Sequence, residues 1–196
     1  EERTNGFYLF GKGYSLDAHD FTQDGDARLA INEAVLATPD SDGILQDEAV
    51  LRRLAGKEWP LHQRTGAVLW MPSDLCVSPL VLDLDSRVIA VMLDHKPRTS
   101  TASLALLHLV GWEYSGSTRV HLVGFDAFFG RVPPRDALPT SERGFRTYAR
   151  CIEEAVGHPI KRSYGANYDS INEQLLQVAF WYGIELVDGT MFDRRQ

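Results

Sequence analysis

Short apolar runs alternate with helical patterns along the whole chain. GFYLF (6–10) is an apolar run that ends in glycine, as a buried strand does. GKGYSLDAHDF continues as a glycine turn, with Ser15 and Asp17 placed to cap a helical turn after it. ARLAIN (27–32) reads as a second strand with a polar end, and EAVLATP as a short helix. DGILQD (42–47) is a third strand and EAVLRRLAG a helix closed by Gly56. GAVLWMP (66–72) and RVIAVML (87–93) are further strands; PSDLCVSPLVLDLDS between them has no assignable period. TSTASLALLHLV (99–110) opens on hydroxyl residues and continues apolar, the strongest helix pattern in the chain. RVHLVGFD (119–126) is a buried strand stopped by Gly-Phe-Asp. DSINEQLLQVAFWY (169–182) predicts another helix and GIELVDG a closing strand.

Strands alternating with helices predict an α/β fold: a single Rossmann-like domain over 1–196, mostly parallel, with helices on both faces. Residues 127–165 are basic and rich in proline, which suggests a surface excursion, although 142–156 has helical spacing. In such sheets ligands bind beyond the carboxyl ends of the strands. The polar residues just after each strand are therefore the ones to weigh.

Composition changes this picture little. The apolar share of 44% and charged share of 24% are ordinary for a globular chain. No window approaches a membrane span, and the opening EERTNG lacks the basic-then-apolar order of a signal peptide. Cys76 and Cys151 match no metal-ligand spacing and read as unpaired thiols of a reducing, cytoplasmic setting. The net charge of -7 argues against a general nucleic-acid binder, but Arg131, Arg135, Arg143, Arg146, Arg150, Lys161 and Arg162 gather in one stretch.

Gly11-Lys12-Gly13-Tyr14-Ser15 is the first candidate site. Its glycines permit a tight turn and close approach of a phosphate to backbone N–H groups, with Lys12 and the Ser15 hydroxyl adding contacts. It is neither a GxGxxG nor a P-loop, and a glycine turn without ligand explains it equally well. Asn32, at the end of its strand, offers a donor and an acceptor to a base or ribose, or else caps the next helix. Thr99, Ser100 and Thr101 suit helix capping or a phosphate or sugar, and Arg98 before them suits an anion. Asp126 ends the strongest buried strand, as a turn residue or as a partner of a ligand hydroxyl or metal. Among six histidines no pair has metal-ligand spacing; His108 and His121 sit in apolar patterns, and His158 is the acid–base candidate.

In order, these pieces resemble the bacterial sialyltransferases and the related capsule and lipooligosaccharide glycosyltransferases. The resemblance rests on the Gly-x-Gly-x-Ser-Leu turn, a strand ending in Asn32, a strand ending in Asp47, the block PRTSTASLALLHLVGWEYSGSTRVHLVGFD, and the closing YGANYDSINEQLLQVAFWYGIELVDG. It implies a GT-A-like sialyltransferase variant of the fold. It implies that Gly11, Lys12, Gly13, Ser15, Asn32 and Asp47 hold the nucleotide of a sugar donor, and that one of Thr99, Ser100 or Thr101 touches it. Arg98 would lie on the acceptor side and Asp126 at the mouth of the cleft. The family's loop reads Gly-Asn-Gly-Pro-Ser, whereas Lys12 and Tyr14 stand here. Its base histidine falls on Ala166 and its phosphate-binding tyrosine on Phe128. Lys12, Arg131, Arg135 or Tyr164 would then discharge the leaving phosphate, and His158, Asp169 or Asp126 would take the acceptor proton.

The expectation is a metal-independent glycosyltransferase with no cofactor beyond its nucleotide-sugar substrate. Its acceptor would be a glycan, or a hydroxymethylated DNA base if the basic stretch binds duplex. The alternative is a non-catalytic nucleotide-binding module. A nicotinamide oxidoreductase is disfavoured, because Asn32 stands where an acid would hold the ribose.

Overall fold

The computed structural model describes residues 6–24, 27–56, 66–93, 99–111, 119–126, 128–129, 131 and 166–190. Seven strands form one parallel sheet: β1 (Phe7–Phe10), β2 (Arg28–Ile31), β3 (Asp42–Ile44), β4 (Ala67–Pro72), β5 (Val88–Leu93), β6 (Arg119–Val123) and β7 (Glu185–Asp188). Their order across the sheet is β5-β4-β3-β2-β1-β6-β7. Among the described residues the α-helices are α1 (Glu48–Leu54), α2 (Ser73–Cys76), α3 (Thr101–Gly111) and α4 (Ala166–Tyr182). This is the Rossmann-like α/β architecture that the alternation predicts.

Both faces of the sheet are covered, so its central strands are apolar without alternation. Tyr8 and Phe10 of β1 point into one core with Ala30, Leu45, Leu69 and Met71, under α1, α2 and the 3-10 turn Asn32–Leu36. Phe7 and Leu9 point into the other, with Leu29, Ile44, Val120 and Leu122, under α3 and α4. That division follows from chirality. Right-handed crossovers put the helices on one face while the chain steps from β1 to β5, and on the opposite face once it returns to β6 and steps towards β7.

Local differences from the sequence reading have local causes. EAVLATP forms a 3-10 turn, not an α-helix. Its end is tied by the Thr38 hydroxyl donating to the Ala34 carbonyl at 2.8 Å, and Asp40 then takes a positive φ of 52°. The segment without a period forms α2 and a second 3-10 turn, Pro79–Asp83, started by proline and capped by Ser78. The excursion, except for Phe128, Phe129 and Arg131, lies outside the described residues. His108 and His121 are half-buried as their apolar settings imply. His108 packs on Trp70 at 4.4 Å and His121 on Tyr8 at 4.6 Å between ring centroids. Burial pushes both imidazoles below their ordinary range, so both are neutral at pH 7.

Candidate functional site

The order of the strands reverses between β1 and β6, and the loops after these two strands leave towards opposite faces. That is the topological switch point, where an open parallel sheet leaves a crevice at its carboxyl edge. At this point the 11–15 loop follows β1 and Gly124-Phe125-Asp126 follows β6.

Here the two loops are in intimate contact. The Gly11 N–H donates to the Val123 carbonyl and the Gly13 N–H to the Gly124 carbonyl, both at 2.7 Å. A Cβ on Gly11 would lie 2.7 Å from the Gly124 carbonyl oxygen, and one on Gly13 would overlap both that oxygen and the Asp126 carboxylate. Gly124 itself has φ +72°, a conformation that glycine adopts without strain. The glycines thus let β1 and β6 close on each other, and the Gly11, Gly13 and Ser15 amides of the loop are hydrogen-bonded within the protein.

Asp126 is the hub of this closure. One carboxylate oxygen accepts from the Ser15 N–H at 3.0 Å and the other from Arg131 Nε at 2.7 Å. Arg131 also pairs with Asp188, at the end of β7, and lies 5.1 Å from the centroid of the Phe129 ring. Burial lowers the affinity of the Arg131 guanidinium for its proton, but its hydrogen bonds to Asp188 and Asp126 outweigh this and hold its pKa above the ordinary value. Arg131, counted with the basic stretch, is therefore committed to two carboxylates of its own chain.

Lys12 leaves the same loop towards the first core and is only 8% exposed. Its ammonium donates to Glu33 Oε2 at 2.6 Å, and the other oxygen of Glu33 pairs with Arg53 Nε from the last turn of α1. Burial pushes the Glu33 carboxyl up; Lys12 by charge and hydrogen bond, the backbone and Arg53 outweigh it and hold the carboxyl below its ordinary range. Neither Glu33 nor Arg53 stands out in the sequence. The signal available was the charge immediately after Asn32, a polar residue in a buried turn.

Two polar atoms beside this network have no hydrogen-bond partner among the described residues: the Ser15 hydroxyl, fully buried, and the Asn32 side-chain oxygen. Asn32 has φ +54° and its side chain caps nothing, so the capping alternative does not describe it. Leaving a buried acceptor or hydroxyl unmet costs about 1–3 kcal/mol, and such groups call for an explanation.

The third group lies across the crevice at the start of α3. Ser100 accepts from the Ser103 N–H at 3.2 Å, the bond of an N-cap. The Thr99 hydroxyl and the Ser100 N–H both donate to Gln174 Oε1 of α4, at 3.2 and 3.0 Å. From the end of β3, Gln46 donates to the Thr99 carbonyl at 2.7 Å and to the Thr101 hydroxyl at 3.2 Å. Gln46 stands beside Asp47, the residue named from sequence, which is exposed and precedes α1 without a side-chain cap. Two glutamines thus brace the 99–101 hydroxyls. Ser100→Ala should lower stability by about 1 kcal/mol, read from urea unfolding, because it removes the cap of α3; an unchanged midpoint would discount the cap.

Arg98 and His158 lie outside the described residues, as do Arg135 and Tyr164. Ala166 opens α4. Among the described residues no group of histidine, cysteine, aspartate or glutamate is arranged to hold a metal, and no helix is long and apolar enough to cross a membrane. The fold defines a Rossmann-like α/β protein whose strand order reverses between β1 and β6, the edge at which sheets of this kind bind ligands. No protein-family model, no curated protein and no solved structure matches the chain.

Proposed function

We propose that the chain is a glycosyltransferase that moves a sugar from a nucleotide-sugar donor to a hydroxyl acceptor. The observation that carries this reading is the pair of unmet buried groups, the Ser15 hydroxyl and the Asn32 side-chain oxygen, beside cationic Lys12 at the carboxyl edge. A nucleotide supplies what these groups lack: hydroxyls and amines for an orphan acceptor, and phosphate oxygens for a hydroxyl and a cation. The resemblance to sialyltransferases supports the same positions.

In the reaction the acceptor oxygen attacks the anomeric carbon, and the bond from that carbon to the donor phosphate breaks. The electron pair leaves on the phosphate, where Lys12 offsets the growing charge. The acceptor proton passes to a base, for which the sequence offers His158, Asp169 or Asp126. Asp126, bound by Ser15 and Arg131, braces the two loops that form the crevice. The resemblance assigns this chemistry no metal.

The second reading, a nucleotide-binding module without transferase activity, is favoured by the internal use of the loop amides and of Asp126. The test is a thermal-shift screen with CMP, UMP, UDP, GDP, their sugar conjugates and NADH, followed by turnover assays with glycan and hydroxymethylated-DNA acceptors. A ligand at a hundred times its Kd stabilises the fold by about 2.7 kcal/mol. One sugar nucleotide should give such a shift, and Lys12→Ala should weaken it. Binding without transfer or hydrolysis selects the module; no binding to any nucleotide or sugar nucleotide removes both readings.

A further inference from the structure

Resting on the nucleotide reading, we propose that Arg53 joins Lys12 as a phosphate-binding pair of the crevice, with Glu33 the positioning residue that holds both. The observation is a single buried carboxylate shared by two cations from different elements. Lys12 comes from the loop after β1 and Arg53 from α1, and they take opposite oxygens of Glu33. Side chains on a helix lean towards its N-terminus, and the N-terminus of α1 lies at the carboxyl edge of the sheet. Arg53, although in the last turn, therefore reaches back to the turn after β2.

The two cations differ in what they have left to offer. Lys12 is buried with Glu33, whereas the side chain of Arg53 is 29% exposed. Arg53 uses Nε on Glu33 and makes no other hydrogen bond or ion pair among the described residues. Among the described residues its two terminal nitrogens have no partner, on a guanidinium whose plane Glu33 already fixes. A planar fork with two parallel N–H groups is suited to a phosphate, and fixing it beforehand reduces the entropy lost on binding. The ligand chemistry is a phosphate or diphosphate group, from a nucleotide or from free pyrophosphate. Glu33 acts through the two cations and does not itself touch the anion.

The test is titration calorimetry on wild type, Arg53→Gln and Arg53→Lys with inorganic pyrophosphate, CMP, UDP, cytidine and uridine. Arg53→Gln should weaken pyrophosphate and the nucleotides about tenfold or more and leave the nucleosides unchanged. Arg53→Lys, which keeps the charge and loses the fork, should fall between, and it carries the comparison if Arg53→Gln does not fold. A purely structural ion cluster would move the melting temperature without moving the nucleotide-to-nucleoside ratio. Pyrophosphate binding that needs Arg53, with no nucleotide bound, keeps the phosphate pair and refutes the nucleotide reading. Nucleotide binding indifferent to Arg53 does the opposite. Wild type that binds neither pyrophosphate nor any nucleotide overturns both.

Discussion

Glu33→Ala should destabilise the protein by about 3–5 kcal/mol at pH 7, the cost of removing one partner from a buried ion cluster. Glu33 and Lys12 are mostly buried, so the ammonium left behind is poorly hydrated in place of its carboxylate. Replacing both, as Lys12→Met with Glu33→Leu, should recover much of the loss, since no buried ammonium is stranded and the Arg53 guanidinium, 29% exposed, can turn to solvent. The pH dependence has a definite sign. The folded chain holds the Glu33 carboxyl below its ordinary value of 4.5. Its contribution is therefore fully present above that value and is lost as the pH falls through the lower, folded value. Urea unfolding at pH 7 and in acid checks this: the gap between wild type and Glu33→Ala should shrink in acid. A gap that is small at pH 7, or that widens in acid, would show that the cluster does not stabilise the fold.

Gly13→Ala should cost at least about 3 kcal/mol, combining overpacking with the loss of a charge-assisted hydrogen bond. Gly13 has φ −64°, which any residue tolerates, so the effect is steric. The new methyl would fall on the Gly124 carbonyl and the Asp126 carboxylate, both fixed by hydrogen bonds. Relief requires the β1 and β6 loops to part, which breaks the bond from Ser15 to Asp126. Thermal unfolding reads the stability, and the same variant should lose any nucleotide-induced shift. A variant that unfolds within about 1 kcal/mol of wild type would mean that the loops separate easily.

The fold was legible in the sequence because each strand is a short segment built around apolar residues and bounded by glycine, proline or polar residues, with helical patterns between. Sequence reading missed the elements whose signal is shorter than one period, α2 and the 3-10 turn Pro79–Asp83, where a proline and single hydrogen bonds decide the conformation. The site was legible as a set of strand-end residues, and the structure brings Ser15 and Asp126 into contact across 111 residues of chain. What that set lacked was pairing. No local pattern says that Glu33 meets both Lys12 and Arg53, or that Gln46 and Gln174 converge on Thr99; these contacts depend on how the strands are ordered. The same glycines that suggest a phosphate loop equally suit two backbones in contact, and only the three-dimensional arrangement separates the two uses.

The position of β1 also bears on how the chain is made. During synthesis β2 to β5 can add to β1 one after another as each emerges, but its other edge waits for residues 119–123. Until β6 arrives, the strand Phe7–Phe10, apolar on both sides, shows a bare row of backbone donors and acceptors. An exposed apolar edge of that kind is a template for pairing with a neighbouring chain. Fragments that stop before β6 should therefore be the aggregating ones, and the sheet becomes safe only when its oldest strand receives one of its last partners.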